Sequence, residues 1–390
     1  MLFPAFTFLV KPASGDCNMR CRYCFYYQSH TSSGDIRRMS LATLERLISE
    51  AVIVSSGQVF FGWQGGEPTL MGLDFFREAV RLQEKYRRPG QKIGNAFQTN
   101  GLLLTPEWCE FLAENHFLVG LSLDGEPVRH DAERLDPGGL GTYDRVVRAL
   151  HLLQEYRVRT NILTVVTPDI ARRGRQTYRA LRNLQAEYIQ FIPSVDNGQQ
   201  DVPEPLRLSA DGYGRFLKNV YDEWIADLKA GQRVGVQFFE SLASVALGLP
   251  PVTCQTAGTC AGHLVVEYDG SLYPCDFMVR PEWYLGNIHA GPLMEILQGA
   301  KLREFLQWTR QIPTTCRSCE FFPYCRGGCP YQRTMKNGDP SRPDYFCRSY
   351  KTFFRYALPQ LIQLGRMAGS GGAGGSTAGG LGASSAVRDL

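Results

Sequence analysis

Six short apolar stretches alternate with segments of helical periodicity along the first half of the chain. The strand-like stretches are Thr7–Val10, Val59–Trp63, Ile93–Gln98, Leu118–Leu123, Thr160–Val166 and Tyr188–Ile192. Between them, apolar residues recur at helical spacing over Leu41–Ser55, Leu73–Tyr86, Pro106–Asn115, Tyr143–Tyr156 and Arg175–Leu184. Thr105 followed by Pro106 supplies an N-cap and a first-turn proline for one of them. A strand that pairs in parallel with the next one needs a crossover, and a helix is the usual crossover. The chain is therefore predicted to form an α/β fold with a parallel sheet curled into a full or partial barrel. In such a barrel, chemistry sits at the carboxyl ends of the strands.

Just past the first strand, Cys17, Cys21 and Cys24 stand in a C-x3-C-x2-C spacing. Three thiolates can hold three irons of a cubane cluster and leave the fourth open to a small molecule. Zinc normally takes a fourth Cys or His close by, and this segment offers none. Only six histidines are present against twelve cysteines, which favours all-thiolate sites.

Composition narrows the classes further. A net charge of +4 over 390 residues is too mild to argue for nucleic acid. The apolar start, Met1 to Val10, has no basic flank before it and no small-residue cleavage site after it, so it reads as a strand. With no apolar run of about 18 residues, no membrane span is expected. The expected location is the cytoplasm, where reduced cysteines serve metals or catalysis instead of disulfides.

An amphipathic helix is expected over Ala210–Ala230, with Phe216, Val220, Trp224 and Leu228 about a turn apart. Beyond it the pattern changes, and eight of the twelve cysteines fall between Cys254 and Cys347. Eight thiolates suffice for two closed [4Fe–4S] clusters, or for two four-thiolate zinc sites. Cys109 lies in a predicted helix and reads as a buried core thiol. The expected organisation is 1–230 for the barrel, 231–358 for a cysteine-rich domain and 359–390 for a Gly/Ala/Ser-rich tail without order.

The three-cysteine motif after the first strand of a βα barrel resembles the radical S-adenosylmethionine (SAM) superfamily. There, SAM chelates the open iron and is cleaved to a 5′-deoxyadenosyl radical. The resemblance implies a partial (β/α)6 radical SAM barrel. Gln64-Gly65-Gly66-Glu67-Pro68 looks like the family's GGE motif, so Gly65, Gly66 and Glu67 are expected at the SAM ammonium. Ser122 and Arg134 are expected near the polar end of SAM, and Tyr23 and Val195 near its adenine.

The later cysteines resemble the SPASM domain of radical SAM enzymes that modify peptides. That likeness assigns Cys254, Cys260, Cys275 and Cys329 to one auxiliary [4Fe–4S] cluster. It assigns Cys316, Cys319, Cys325 and Cys347 to a second. Three clusters and SAM are thus the implied cofactors.

Finally, Tyr273-Pro-Cys-Asp-Phe-Met, with Leu285-Gly-Asn-Ile288 after it, resembles the anaerobic sulfatase-maturating enzymes. The implied reaction oxidises a cysteine or serine of an unfolded sulfatase segment to Cα-formylglycine, with Asp276 as general base. Gln64 and Gln98, at strand ends, are expected to bind the peptide backbone. A flavodoxin- or ferredoxin-like protein is the implied electron donor. The rival within the superfamily is a SPASM enzyme that forms thioether or carbon–carbon crosslinks in a precursor peptide. Outside it, a non-enzymatic zinc-binding protein remains open.

Overall fold

The computed structural model describes residues 3–24, 26, 37–195, 203–251, 253–258, 260, 263–335 and 338–371. Its centre is one ten-stranded sheet in the order β10-β9-β8-β1-β2-β3-β4-β5-β6-β7. The strands are β1 (Phe3–Lys11), β2 (Ser55–Trp63), β3 (Lys92–Thr99), β4 (Leu118–Ser122), β5 (Arg159–Val166), β6 (Tyr188–Pro193), β7 (Gly235–Val236), β8 (His263–Glu267), β9 (Ser271–Tyr273) and β10 (Gly286–Asn287). From β1 to β6 each strand pairs in parallel with the next in sequence, as serial βα units require. The order is linear, so the barrel is partial and open.

Register separates the two faces of the sheet. Val10 pairs with Trp63, Trp63 with Phe97, and Leu121 with Ile162, which in turn pairs with Ile189. All of these are at most 1% exposed and pack with the surrounding helices in one apolar core. Side chains alternate along a strand, so Lys11, Gln98 and Ser122 point to the opposite, inner face. Some polar side chains on the core side pair with one another. Trp63 Nε1 donates to Asn95 Oδ1 at 2.9 Å, and the Asn95 amide exchanges hydrogen bonds with Gln83.

The cysteine-rich half is not a separate body. β8 pairs in parallel with β1, and β9 and β10 extend the same sheet antiparallel. The helix Ala210–Lys229 packs on the last helix, Cys347–Gly371, with the Tyr221 and Phe353 rings 5.6 Å apart. That last helix runs through Pro359 and past the expected domain end at 358, so residues 359–371 are helical. The remainder of the Gly/Ala/Ser-rich tail, 372–390, lies outside the described residues. Sequence periodicity missed this helix because Cys347 opens it in a cysteine-dense segment.

Candidate active site and cluster centres

The loop after β1 is fixed on several sides. Ser14 N donates to Lys11 O at 3.1 Å, starting the turn that lifts Cys17 off the strand end. Arg20 N and Arg22 N donate to the carbonyls of Leu135 and Glu133, so the loop is laced to the segment after β4. Asn100 reaches over from the end of β3, its amide 3.6 Å from Cys17 Sγ. Burial, reinforced by Glu67, pushes the Cys17 thiol up to about 12. Burial also pushes Cys21 to about 12, with Arg134 opposing and Cys24 and Cys17 adding to the rise. Left as thiols these groups would stay neutral, and iron is what would deprotonate them.

The Gly65-Gly66-Glu67 loop after β2 packs directly on this segment. Gly66 N donates to Ser14 O and Glu67 N to Asp16 O, both at 2.7 Å. A Cβ on Gly66 would lie 2.0 Å from Asp16 O, so only glycine permits the contact. The Glu67 carboxylate is fully buried and accepts four hydrogen bonds, from Thr69 N and Oγ1, Thr99 Oγ1 and Asn100 N. In the fold this carboxylate, expected to balance a ligand's positive charge, also ties β2 to β3.

Arg134 is likewise engaged by the protein. Its Nε and Nη2 donate to both oxygens of the fully buried Asp124, at 2.8 and 3.2 Å. The Tyr23 hydroxyl also donates to Asp124, and the guanidinium lies 5.4 Å from the Tyr23 ring. Asp124 thus anchors the cluster loop to the ends of β4 and β5. Ser122, also buried, ends β4 two residues earlier. Val195 sits just beyond β6 and is buried with the apolar core. Gln64, past the end of β2, is half-buried, and Gln98, on the inner face of β3, is exposed.

The eight later cysteines fall into two groups in space. Cys260, Cys275 and Cys329 surround a small apolar cluster of Met278, Phe305 and Tyr331. Burial raises Cys329 well above its ordinary range, and Cys275 and Cys254 raise it further. Cys260 is raised to about 11 by burial and then by Cys254. The other four, Cys316, Cys319, Cys325 and Cys347, line one largely apolar cavity of about 50 Å³ with Phe321, Phe322, Tyr350 and Phe354. Cys325 is raised to about 11 by burial, with Cys316, Cys347 and Cys319 adding to it. Cys329 therefore packs on the same apolar cluster as Cys275, 54 residues earlier, while Cys325, only four residues away, lines that cavity. Between the groups, the buried Asp344 accepts from Cys329 N at 2.9 Å and Phe346 N at 2.7 Å.

The donor sets fit iron–sulfur clusters. Cys316, Cys319, Cys325 and Cys347 all line one apolar cavity, and four thiolates are what a closed [4Fe–4S] cluster takes.

Asp276 follows Cys275 in a short 3₁₀ turn after β9. Its Oδ1 lies 2.7 Å from Lys11 Nζ, and its Oδ2 accepts from the Tyr26 hydroxyl. Lys11 also meets Glu267 Oε1 at 3.1 Å, across the β1–β8 register pair. Burial disfavours the Lys11 charge, yet Asp276 and Glu267 together hold its pKa above the ordinary value. His263, raised by Asp276 but lowered more by burial, has its pKa below the ordinary value. Sequence reading missed Lys11, Tyr26, Glu267, Asp124 and Asp344. A lone lysine closing an apolar strand is the only hint any of them left.

The sequence matches the family model of the radical SAM superfamily over residues 12–181 and that of an iron–sulfur cluster-binding domain, SPASM, over 254–320. It is 38% identical over 365 residues to a cysteine-type anaerobic sulfatase-maturating enzyme of Clostridium perfringens, covering 93% of this chain and 98% of the relative. It is 33% identical to a serine-type enzyme of Bacteroides thetaiotaomicron, covering 90% and 89%. The fold superposes on anSMEcpe with bound AdoMet with a TM-score of 0.87 at 39% identity, covering 92% of this chain and 98% of the other. On anSMEcpe with bound AdoMet and the Cp18Cys peptide, the TM-score is 0.86 at 38% identity, covering 93% and 99%. Among the described residues no helix is long and apolar enough to cross a membrane.

Proposed function

Because this chain belongs to the anaerobic sulfatase-maturating enzymes, a radical SAM family, we propose that Asp276 is the base of a formylglycine-forming oxidation. The enzyme is a radical SAM oxidoreductase, and its cofactors are [4Fe–4S] clusters and SAM. Its substrate is a sulfatase-derived peptide whose cysteine or serine becomes Cα-formylglycine. Formation of peptide crosslinks is the weaker reading, since maturases match nearly the whole chain at 33–38% identity.

Cys17, Cys21 and Cys24 would hold the open cluster. Cys254, Cys260, Cys275 and Cys329 would hold one auxiliary cluster, and Cys316, Cys319, Cys325 and Cys347 the other. When bound, these groups supply the 5′-deoxyadenosyl radical that removes a substrate Cβ hydrogen and an acceptor for one electron. Asp276 takes the remaining proton from the thiol or hydroxyl. Hydrogen atom, proton and electron together make the two-electron oxidation, giving the aldehyde directly from serine. From cysteine they give a thioaldehyde, which water converts to the aldehyde with loss of hydrogen sulfide.

The observation that carries this reading is the place of Asp276. It is beside a cluster ligand, on the extension of the barrel sheet, with both oxygens held by Lys11 and Tyr26. Two contacts leave lone pairs on each oxygen for a substrate S–H or O–H.

Gly65 and Gly66 keep the SAM loop against the cluster loop; their carbonyls would meet the SAM ammonium, and the Glu67 carboxylate would balance its charge. Ser122 and Arg134 would face its polar end, Arg134 while still held by Asp124. Tyr23 and Val195 would flank the adenine. Gln64 and Gln98 carry amides suited to a peptide backbone. An external flavodoxin- or ferredoxin-like donor would supply the reducing electron, and the free cysteines suit a cytoplasmic setting.

The test is anaerobic turnover of a peptide containing Cys-x-Pro-x-Arg by reconstituted, reduced Asp276→Asn enzyme. It should still release 5′-deoxyadenosine while aldehyde falls about a hundredfold. Wild-type aldehyde would remove Asp276 as the base.

A further inference from the structure

Lys11 touches all three parts of the reaction site. Its backbone carbonyl receives Ser14 N and starts the loop that carries Cys17, Cys21 and Cys24. Its side-chain stem lies against Gly65, where a Cβ would come within 3.1 Å of Lys11 Cβ and 3.2 Å of Cγ. Its ammonium lies 2.7 Å from Asp276 and 4.7 Å from the centre of the Tyr26 ring. The side chain is only 3% exposed, so this cation is shielded from bulk solvent and its charge is met by Asp276 and Glu267.

From this junction we propose that Lys11, braced by Glu267, is a positioning residue that fixes Asp276 relative to the cluster and SAM loops. The proposal rests on Asp276 being the base and deepens that reading. Proton transfer demands that base and substrate meet at hydrogen-bond distance, and a misplacement of about 1 Å can cost a hundredfold. Asp276 sits on a short 3₁₀ turn, which alone would give it little rigidity. Tying it to the last residue of β1 passes the stiffness of the sheet to the carboxylate. Glu267 holds the ammonium from the neighbouring strand, in register with Lys11, so the cation cannot swing away from Asp276. Among the described residues, Tyr26, His263, Tyr273 and Asp269 also face this cluster, and none of them ties β1 to Asp276.

The experiment compares Lys11→Met, Lys11→Arg and Lys11→Met/Glu267→Gln with wild type, each reconstituted anaerobically. It measures aldehyde formed per 5′-deoxyadenosine, iron content and the unfolding midpoint. Lys11→Met should lower the ratio roughly tenfold to a hundredfold with iron content unchanged. Lys11→Arg, which keeps the cation, should recover most of it. The double variant removes the carboxylate left unpaired by the single change, so its unfolding midpoint should return toward wild type while the ratio stays low. A merely structural lysine predicts the opposite, with ratio and midpoint restored together, and that result would overturn the proposal. So would a wild-type ratio in Lys11→Met. If Lys11→Met is normal while Asp276→Asn loses aldehyde, only the Lys11 assignment fails; if Asp276→Asn is itself normal, the base is elsewhere.

Discussion

Arg134 and Asp124 form a buried, two-pronged ion pair, Nε to Oδ2 at 2.8 Å and Nη2 to Oδ1 at 3.2 Å, with Asp124 fully buried. The pair lies under the cluster loop and not in open solvent, and Tyr23, between Cys21 and Cys24, is hydrogen-bonded to the same carboxylate. Val165 N adds a further donor to Asp124 from β5 at 2.9 Å. One carboxylate therefore adds a side-chain anchor, through Tyr23, to the loop that carries the three thiols.

Removing that carboxylate should leave a buried guanidinium without its partner. Asp124→Ala is expected to lower the unfolding free energy by about 3–5 kcal/mol. Urea denaturation of anaerobically prepared protein measures this, and a change under about 1 kcal/mol would show that the pair is dispensable.

The cysteine sets make a sharper prediction, because non-additivity reveals shared clusters. Cys275→Ser and Cys329→Ser should each remove about four irons per chain, and the double variant no more than that. Cys325→Ser with Cys329→Ser should remove about eight. Iron and sulfide analysis decides the pairing, and a loss of about four in the latter double variant would place Cys325 and Cys329 on one cluster.

His130 should make stability depend on pH. It is fully buried, its Nδ1 accepts from Asp124 N and its Nε2 lies 2.9 Å from Thr142 Oγ1. Burial, aided by the Arg134 charge, lowers its pKa to about 4. The unfolded chain then binds a proton below pH 6.5 that the folded chain refuses until about pH 4. The stabilisation is present above pH 6.5 and is lost as pH falls toward 4, by up to about 1.4 kcal/mol per unit. Unfolding free energies of wild type and His130→Gln, measured from pH 7.5 to 5, should converge on acidification. Parallel curves would show that His130 does not titrate as stated.

Much of this protein was legible in the chain. Strands β1 to β6 and the five longer helices between them follow from hydrophobic periodicity, since each such segment encodes its own buried face, whereas the short helices Pro127–Glu133 and Pro168–Arg172 do not. The thiol spacings Cys17/Cys21/Cys24 and Cys316/Cys319 are local too, because a ligand pair close in sequence is close in space. What tertiary structure decided was everything that depends on distant segments meeting. Periodicity cannot show that β8 extends the sheet beside β1, and so it cannot show that Lys11 faces Glu267 and Asp276. Glu67 and Arg134 read as ligand groups because their residue types suit a charged ligand. The fold adds protein partners that the sequence did not announce, Thr69, Thr99 and Asn100 for the one and Asp124 for the other. A polar side chain's partner is chosen by which groups the chain buries around it, and that choice is made only when the strands are in register.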